Sequence, residues 1–85
     1  MGTTHTLQRV NINFKSFSMK YYVNRNAQPT GEHEVHTEFC SHQPYPYYRE
    51  YLGEFSNCRD AVQKAKQIYS NVDGCYYCCY PCHKK

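Results

Sequence analysis

The chain has 85 residues, of which 40% are hydrophobic, with ten tyrosines, no tryptophan and a formal net charge of +3. That length allows one domain with a thin core, and the six cysteines are the available staple. The charge is too mild to mark a dedicated nucleic-acid binder, and no apolar run approaches transmembrane length, so no membrane partner is expected.

Residues 1–17 scatter Leu7, Val10, Ile12, Phe14 and Phe17 singly among polar neighbours, which predicts a disordered arm or at best an extra edge strand. This polar start also lacks the apolar run of a secretory signal. A cytoplasmic protein is therefore expected, with thiols that stay reduced and are available to metal. Residues 18–85 are expected to form a single cysteine-rich domain.

Within that domain, "SMKYYVN" alternates Met19, Tyr21 and Val23 against Lys20, Tyr22 and Asn24, the pattern of a half-buried strand. "NRNAQPTG" is turn chemistry, and "EVHTEF" then alternates Val35, Thr37 and Phe39 against Glu34, His36 and Glu38. Together they predict an antiparallel hairpin with a long loop. Pro44 and Pro46 make "SHQPYPYYR" an irregular connection whose tyrosines are expected to cover the core. "REYLGEF" reads as a third short strand.

The helix signal is the clearest. Cys58, Ala61, Val62, Ala65, Ile68 and Tyr69 recur at helical period, Asn57 is a good N-cap, and Asp60 occupies the acid position of a capping box. "SNVDG" is expected to end the helix, with Gly74 suited to a positive φ. The resulting fold class is α+β: a small antiparallel sheet of about three strands, one helix and a C-terminal cysteine knuckle.

Cys75 and Cys78 form a C-x2-C pair, whose tight turn lets two sulfurs face one tetrahedral zinc while its amides donate to the thiolates. The matching half-site is "HTEFC", with His36 and Cys40 separated by three residues. The helix lies between the two halves, so one structural zinc held by His36, Cys40, Cys75 and Cys78 would clamp its ends together. His83, Cys82 and Cys58 stand as alternatives to one of these ligands.

The stretches "VHTEFC" and "YLGEFSNCRDAVQKAKQIYSNVDGCYYC", within residues 35–78, resemble the N-terminal zinc domain of the Ada alkylation-repair protein in pattern and spacing. Over residues 21–83 the chain looks more like an uncharacterised family of small bacterial and phage-borne proteins, on "HEVH", "LGEFSNCRDA" and "GCYYC" followed by a Cys-His pair. That closer resemblance implies no activity. The Ada resemblance implies a zinc-clamped scaffold with nucleic-acid contact. In Ada, the first ligand is a cysteine that, activated by zinc, accepts a methyl group from a DNA phosphotriester. Here that position is His36, and an imidazole is not that thiolate nucleophile, so no methyl-acceptor activity is expected.

Other readings of the cysteines are weaker. "CYPCH" at 79–83 satisfies a haem-attachment pattern, but the chain lacks the apolar helices of a haem pocket. Neither C-x2-C pair opens a helix in a βαβ context, as a thioredoxin-like dithiol would. "HEVH" falls one residue short of the zinc-protease motif, and on a strand His33 and His36 point to opposite faces. Cys58, on the apolar stripe, reads as a buried small hydrophobe ahead of a partner for Cys82 or Cys79. His5 and His42 read as solvated surface residues.

The expected function is a small zinc-stabilised binding module. Its partner is nucleic acid, contacted weakly through Arg59, Lys64, Lys66, Lys84 and Lys85, or a protein; an ordinary solvated face explains those charges equally well. The alternative is a disulfide-stapled secreted or periplasmic interaction protein. No acid, base and nucleophile set can be assembled, so an enzyme is not expected.

Overall fold

The computed structural model describes residues 18–85, so the expected N-terminal arm lies outside the described residues. Strand β1 (Met19–Asn24) runs antiparallel to β2 (His33–Thr37), as the alternation predicts. The connecting loop closes through the Gln28 amide donating to the Glu32 carbonyl, and Gly31 sits at φ 103°, where a side chain would be strained. Strand β3 (Arg49–Phe55) pairs antiparallel with the other edge of β1.

The β1–β3 register shifts between Tyr21 and Tyr22, whose partners are Gly53 and Tyr51. Leu52 is the extra residue of this bulge, and Gly53 takes φ 129°. The bulge sends Leu52 into the core while Tyr51 stays beside Tyr22, with ring centroids 5.3 Å apart.

Helix α1 (Cys58–Ala65) begins as its cap predicts. The Asn57 side-chain oxygen accepts from the Asp60 amide at 2.9 Å, and the Asn57 amide group donates to the Asp60 carboxylate at 3.3 Å. The helix stops at Ala65, short of the expected Tyr69. Tighter bonds take over, with the Gln67 amide donating to Lys64 and the Ile68 amide to Ala65. Ile68 is left exposed, and Tyr69 instead stacks its ring on His33 at 3.8 Å and donates its hydroxyl to Glu50.

A fourth strand replaces the expected helix terminator. Val72–Gly74 forms β4, parallel to β2 with Glu34 opposite Asp73 and Val35 opposite Gly74. Gly74 is strand backbone without a positive φ, and glycine is required there for closeness: a Cβ would stand 2.8 Å from the Cys79 carbonyl oxygen and from the Cys82 Cβ. The fold is therefore α+β with a mixed four-stranded sheet in the order β3-β1-β2-β4.

One face of the sheet packs on α1. Tyr21, Val23, Val35 and Leu52 meet Cys58, Ala61 and Ala65 there, and Cys75 and Cys79 join the same cluster. Burying these side chains provides roughly 1.5–3 kcal/mol for each large aliphatic, but there are few of them. The tyrosines of the 44–48 connection do not cover this core, contrary to the sequence expectation. Tyr45 and Tyr47 are 79% and 82% exposed, because the 3-10 turn at Pro46–Tyr48 carries its side chains away from the sheet.

Candidate metal centre

Four side chains converge at one end of the β2–β4 pair. The ligand atoms of His36, Cys40, Cys75 and Cys78 all lie within 4.8 Å of one another. The strand pairing explains the convergence. The Cys75 amide donates to the Val35 carbonyl at 2.9 Å, extending the β2–β4 ladder by one bond and placing Cys75 beside His36. Cys40 arrives by a turn at the end of β2, closed by its amide donating to the Thr37 carbonyl at 3.2 Å. That turn ends the alternation of β2, so Phe39 points to solvent rather than into the core. Cys78 returns through the knuckle turn, in which the Cys79 amide donates to the Cys75 carbonyl at 2.9 Å.

The spacings fit a tetrahedron. With metal–sulfur bonds of about 2.3 Å, the edge between two sulfurs is about 3.8 Å. The Cys40 and Cys75 sulfurs are 3.8 Å apart, and the Cys78 sulfur is 3.9 Å from His36 Nδ1. Each sulfur receives a backbone amide: Thr37 donates to Cys78 at 3.3 Å, and His42 to Cys40 and Tyr77 to Cys75 at 3.4 Å each. Such donors stabilise thiolates, and they mark the sulfurs as acceptors.

Burial sets the proton state of the site. His36 is 1% exposed, and desolvation pushes its pKa down to about 4, with His42 and Arg49 pushing further in the same direction. The ring is therefore neutral at physiological pH, as a ligand must be. Its Nε2 lies 3.6 Å from the Glu34 carboxylate, and its Nδ1 faces the Cys78 sulfur. Burial raises the Cys75 thiol to about 12 and also raises Cys40, while the contact with Cys79, then burial, raises Cys78. Uncompensated thiolates are thus disfavoured here, and a divalent cation would displace those protons.

Among the described residues, the other cysteines and histidines lie outside the four-atom group. Cys58 and Cys82 form a disulfide that ties the first turn of α1 to the 3-10 turn Tyr80–Cys82. Cys58 is buried as its stripe position predicts, but it is a bonded partner rather than a simple small hydrophobe. This pairing removes both residues as alternative ligands and occupies one thiol of the C-x-x-C-H pattern. His83 is held by the Gly74 carbonyl at 2.9 Å and by Asp73 at 3.2 Å, away from the fourth ligand position. Cys79 is 1% exposed in the core; its sulfur is 3.9 Å from Cys78 but outside the four-atom group. His33 turns its Nδ1 to the Asn24 carbonyl, consistent with the opposite strand face.

Sequence reasoning missed Glu34, whose only signal is its place two residues before His36 on a strand, hence on the same face. His42 is exposed, as expected, and stacks on Tyr77 at 3.7 Å. Among the described residues no helix is long and apolar enough to cross a membrane. No family model, curated protein or solved structure matches the chain.

Proposed function

We propose that this chain is a small zinc-stabilised binding module in which one structural zinc is held by His36, Cys40, Cys75 and Cys78. The convergence of those four ligand atoms within 4.8 Å carries the reading. Three thiolates and an imidazole at tetrahedral spacing favour zinc over harder cations, and four protein ligands leave no open position for catalysis. The role is stability. Structural zinc contributes roughly 10 kcal/mol or more of folding free energy in small peptides, a large amount beside so thin a core.

The module's partner is a nucleic acid held weakly or another protein, in a cytoplasmic setting. The Ada resemblance supports the scaffold and the nucleic-acid contact, while His36 in place of the methyl-accepting cysteine argues against transfer chemistry. Incubation with a duplex carrying a methylated phosphotriester is expected to leave the intact mass unchanged. An added methyl group on any cysteine would move the protein into the repair class.

A second reading is favoured by one observation. The Cys58–Cys82 bond suits an oxidising compartment, as expected of a disulfide-stapled secreted or periplasmic protein. Native and denatured masses, both measured without reductant, separate the two. One zinc in the native mass, with two hydrogens missing for a single bridge, supports the zinc module. No metal, with further hydrogens missing from Cys40, Cys75, Cys78 and Cys79, supports the stapled protein.

A further inference from the structure

The knuckle that carries Cys75 and Cys78 also carries a connected run of aromatic rings. His42 stacks on Tyr77 with centroids 3.7 Å apart and planes 9° from parallel. Tyr77 meets Tyr76 edge-on at 5.2 Å, Tyr76 meets Tyr80 edge-on at 5.2 Å, and the His83 ring closes on Tyr76 at 5.4 Å. These rings hold one another in place while remaining open to solvent: Tyr76, Tyr77 and Tyr80 are 53%, 66% and 63% exposed. Edge-to-face packing of this kind fixes ring orientation, and with one face of Tyr77 covered by His42 the remaining exposed ring surface lies mainly on Tyr80 and the outer side of Tyr77. The run is anchored by the metal ligands, because Cys40 lies two residues before His42 and Cys75 and Cys78 bracket Tyr76 and Tyr77.

The segments that carry the run are free of acids, although Glu34 lies within electrostatic reach of His42 and His83, and Glu32 of Lys85 and His83. Residues 74–85, which carry its tyrosines, contain no Asp or Glu and end on Lys84 and Lys85. The adjoining carboxylate, Asp73, is 3% exposed and accepts the backbone amides of Lys84 and Lys85 at 2.8 and 3.2 Å. It therefore presents little negative charge to solvent and holds the backbone of the two lysines beside His83. Exposed rings next to two exposed lysines match a polyanion whose bases are free to stack. Duplex DNA hides its base faces, and helix α1, with eight residues, alternates Arg59 and Lys64 with Asp60 rather than offering a basic groove-reading face.

We infer that the tyrosine run on the metal knuckle binds single-stranded nucleic acid, with unpaired bases stacking on Tyr76, Tyr77 and Tyr80 and phosphates meeting Lys84 and Lys85. This rests on the zinc-module reading, because the metal ligands hold the rings in register. Affinity is modest, since only a few phosphates are met at once, and it rises as salt falls.

The test uses the zinc-loaded full chain and fluorescence anisotropy with a labelled oligothymidylate, beside a labelled duplex of the same length, at about 50 mM salt. The single strand is expected to bind at least about 10-fold more tightly than the duplex. Tyr77→Ala and Tyr80→Ala, singly and together, are expected to weaken single-strand binding by about 5-fold or more per ring, with the salt slope unchanged. The conservative Tyr→Phe variants keep the ring and should bind like the parent. Lys84→Ala with Lys85→Ala should lower the salt slope by about 1.4 while keeping the preference for single strands. Native mass of every variant reports whether zinc is retained. A zinc-loaded parent that binds strand and duplex equally, or alanine variants that keep zinc and bind undiminished, overturn the inference and leave the zinc module standing. Zinc-loaded protein that binds no oligonucleotide also overturns it, and assigns the rings to a protein partner. Absence of zinc from the parent chain overturns the underlying reading instead.

Discussion

The Nδ1 atom of His36 and the sulfur of Cys78 face each other across 3.9 Å although 42 positions separate them in the chain. The parallel pairing of β2 with β4 makes the meeting, because it sets the knuckle directly beyond the end of β2. A bond between these groups and a common ion would thus close the sheet edge and the chain's last segment into one unit. The energetic consequence of such an ion would be that folding and metal binding are coupled.

Metal removal is therefore expected to unfold the domain. Exhaustive chelation without reductant, which leaves the Cys58–Cys82 bridge intact, should lower the thermal midpoint sharply and reduce the far-UV circular dichroism. Cys75→Ser and Cys78→Ser should each behave as the chelated protein does. Cys79→Ala should keep one zinc and cost only about 1 kcal/mol, the loss of a small buried side chain outside the ligand group. Equal damage from all three substitutions would mean that Cys79 shares the site.

The disulfide and the metal group use separate cysteines, so their contributions are expected to separate. The bridge spans 24 positions, and removing it with Cys58→Ala and Cys82→Ala should cost about 3 kcal/mol by loop-closure entropy. Denaturant unfolding measures that cost, and native mass should still show one zinc. Loss of zinc from this double variant would show that the tail must be tied down before the ligands can assemble.

Acid should destabilise the fold through His36. Its pKa in the folded chain is about 4 against an ordinary 6.5, so between these values the unfolded chain binds a proton that the folded chain refuses. The stabilisation is fully present above pH 6.5 and is lost as pH falls towards 4. Zinc binding has the same sign, since the ion needs a neutral imidazole and deprotonated thiols. Burial raises the Glu34 carboxyl, which acts in the opposite direction, so the thermal midpoint should be followed in parallel with His36→Gln. If the thermal midpoint of the metal-loaded parent does not fall as pH drops from 6.5 to 4, His36 does not carry the effect.

Gly74→Ala is expected to be destabilising although the backbone there is ordinary strand. The added methyl would stand 2.8 Å from the Cys79 carbonyl oxygen and from the bridged Cys82, neither of which is a flexible side-chain tip. Overpacking of this kind costs about 1–3 kcal/mol. Thermal unfolding of the variant checks it, and an unchanged midpoint would show that the C-terminal segment can shift outward freely.

The chain's local rules determined what neighbouring residues can decide among themselves. The alternation of Met19, Tyr21 and Val23 placed β1, and Asn57 with Asp60 fixed the start of α1, because caps and pleats are satisfied within a few residues. The two half-sites, His36 with Cys40 and Cys75 with Cys78, were legible for the same reason: each is closed by one tight turn. Tertiary structure decided the rest. Val72–Gly74 reads as turn chemistry and becomes a strand only because β2 offers a free edge for parallel pairing. Helical period carried through Tyr69, but the ring found His33 and Glu50 and the helix stopped at Ala65. Cys58 took Cys82 as its partner and Glu34 came to lie beside the His36 ring through positions that no spacing prints. Such pairings depend on the path of the whole chain, which local propensity does not encode.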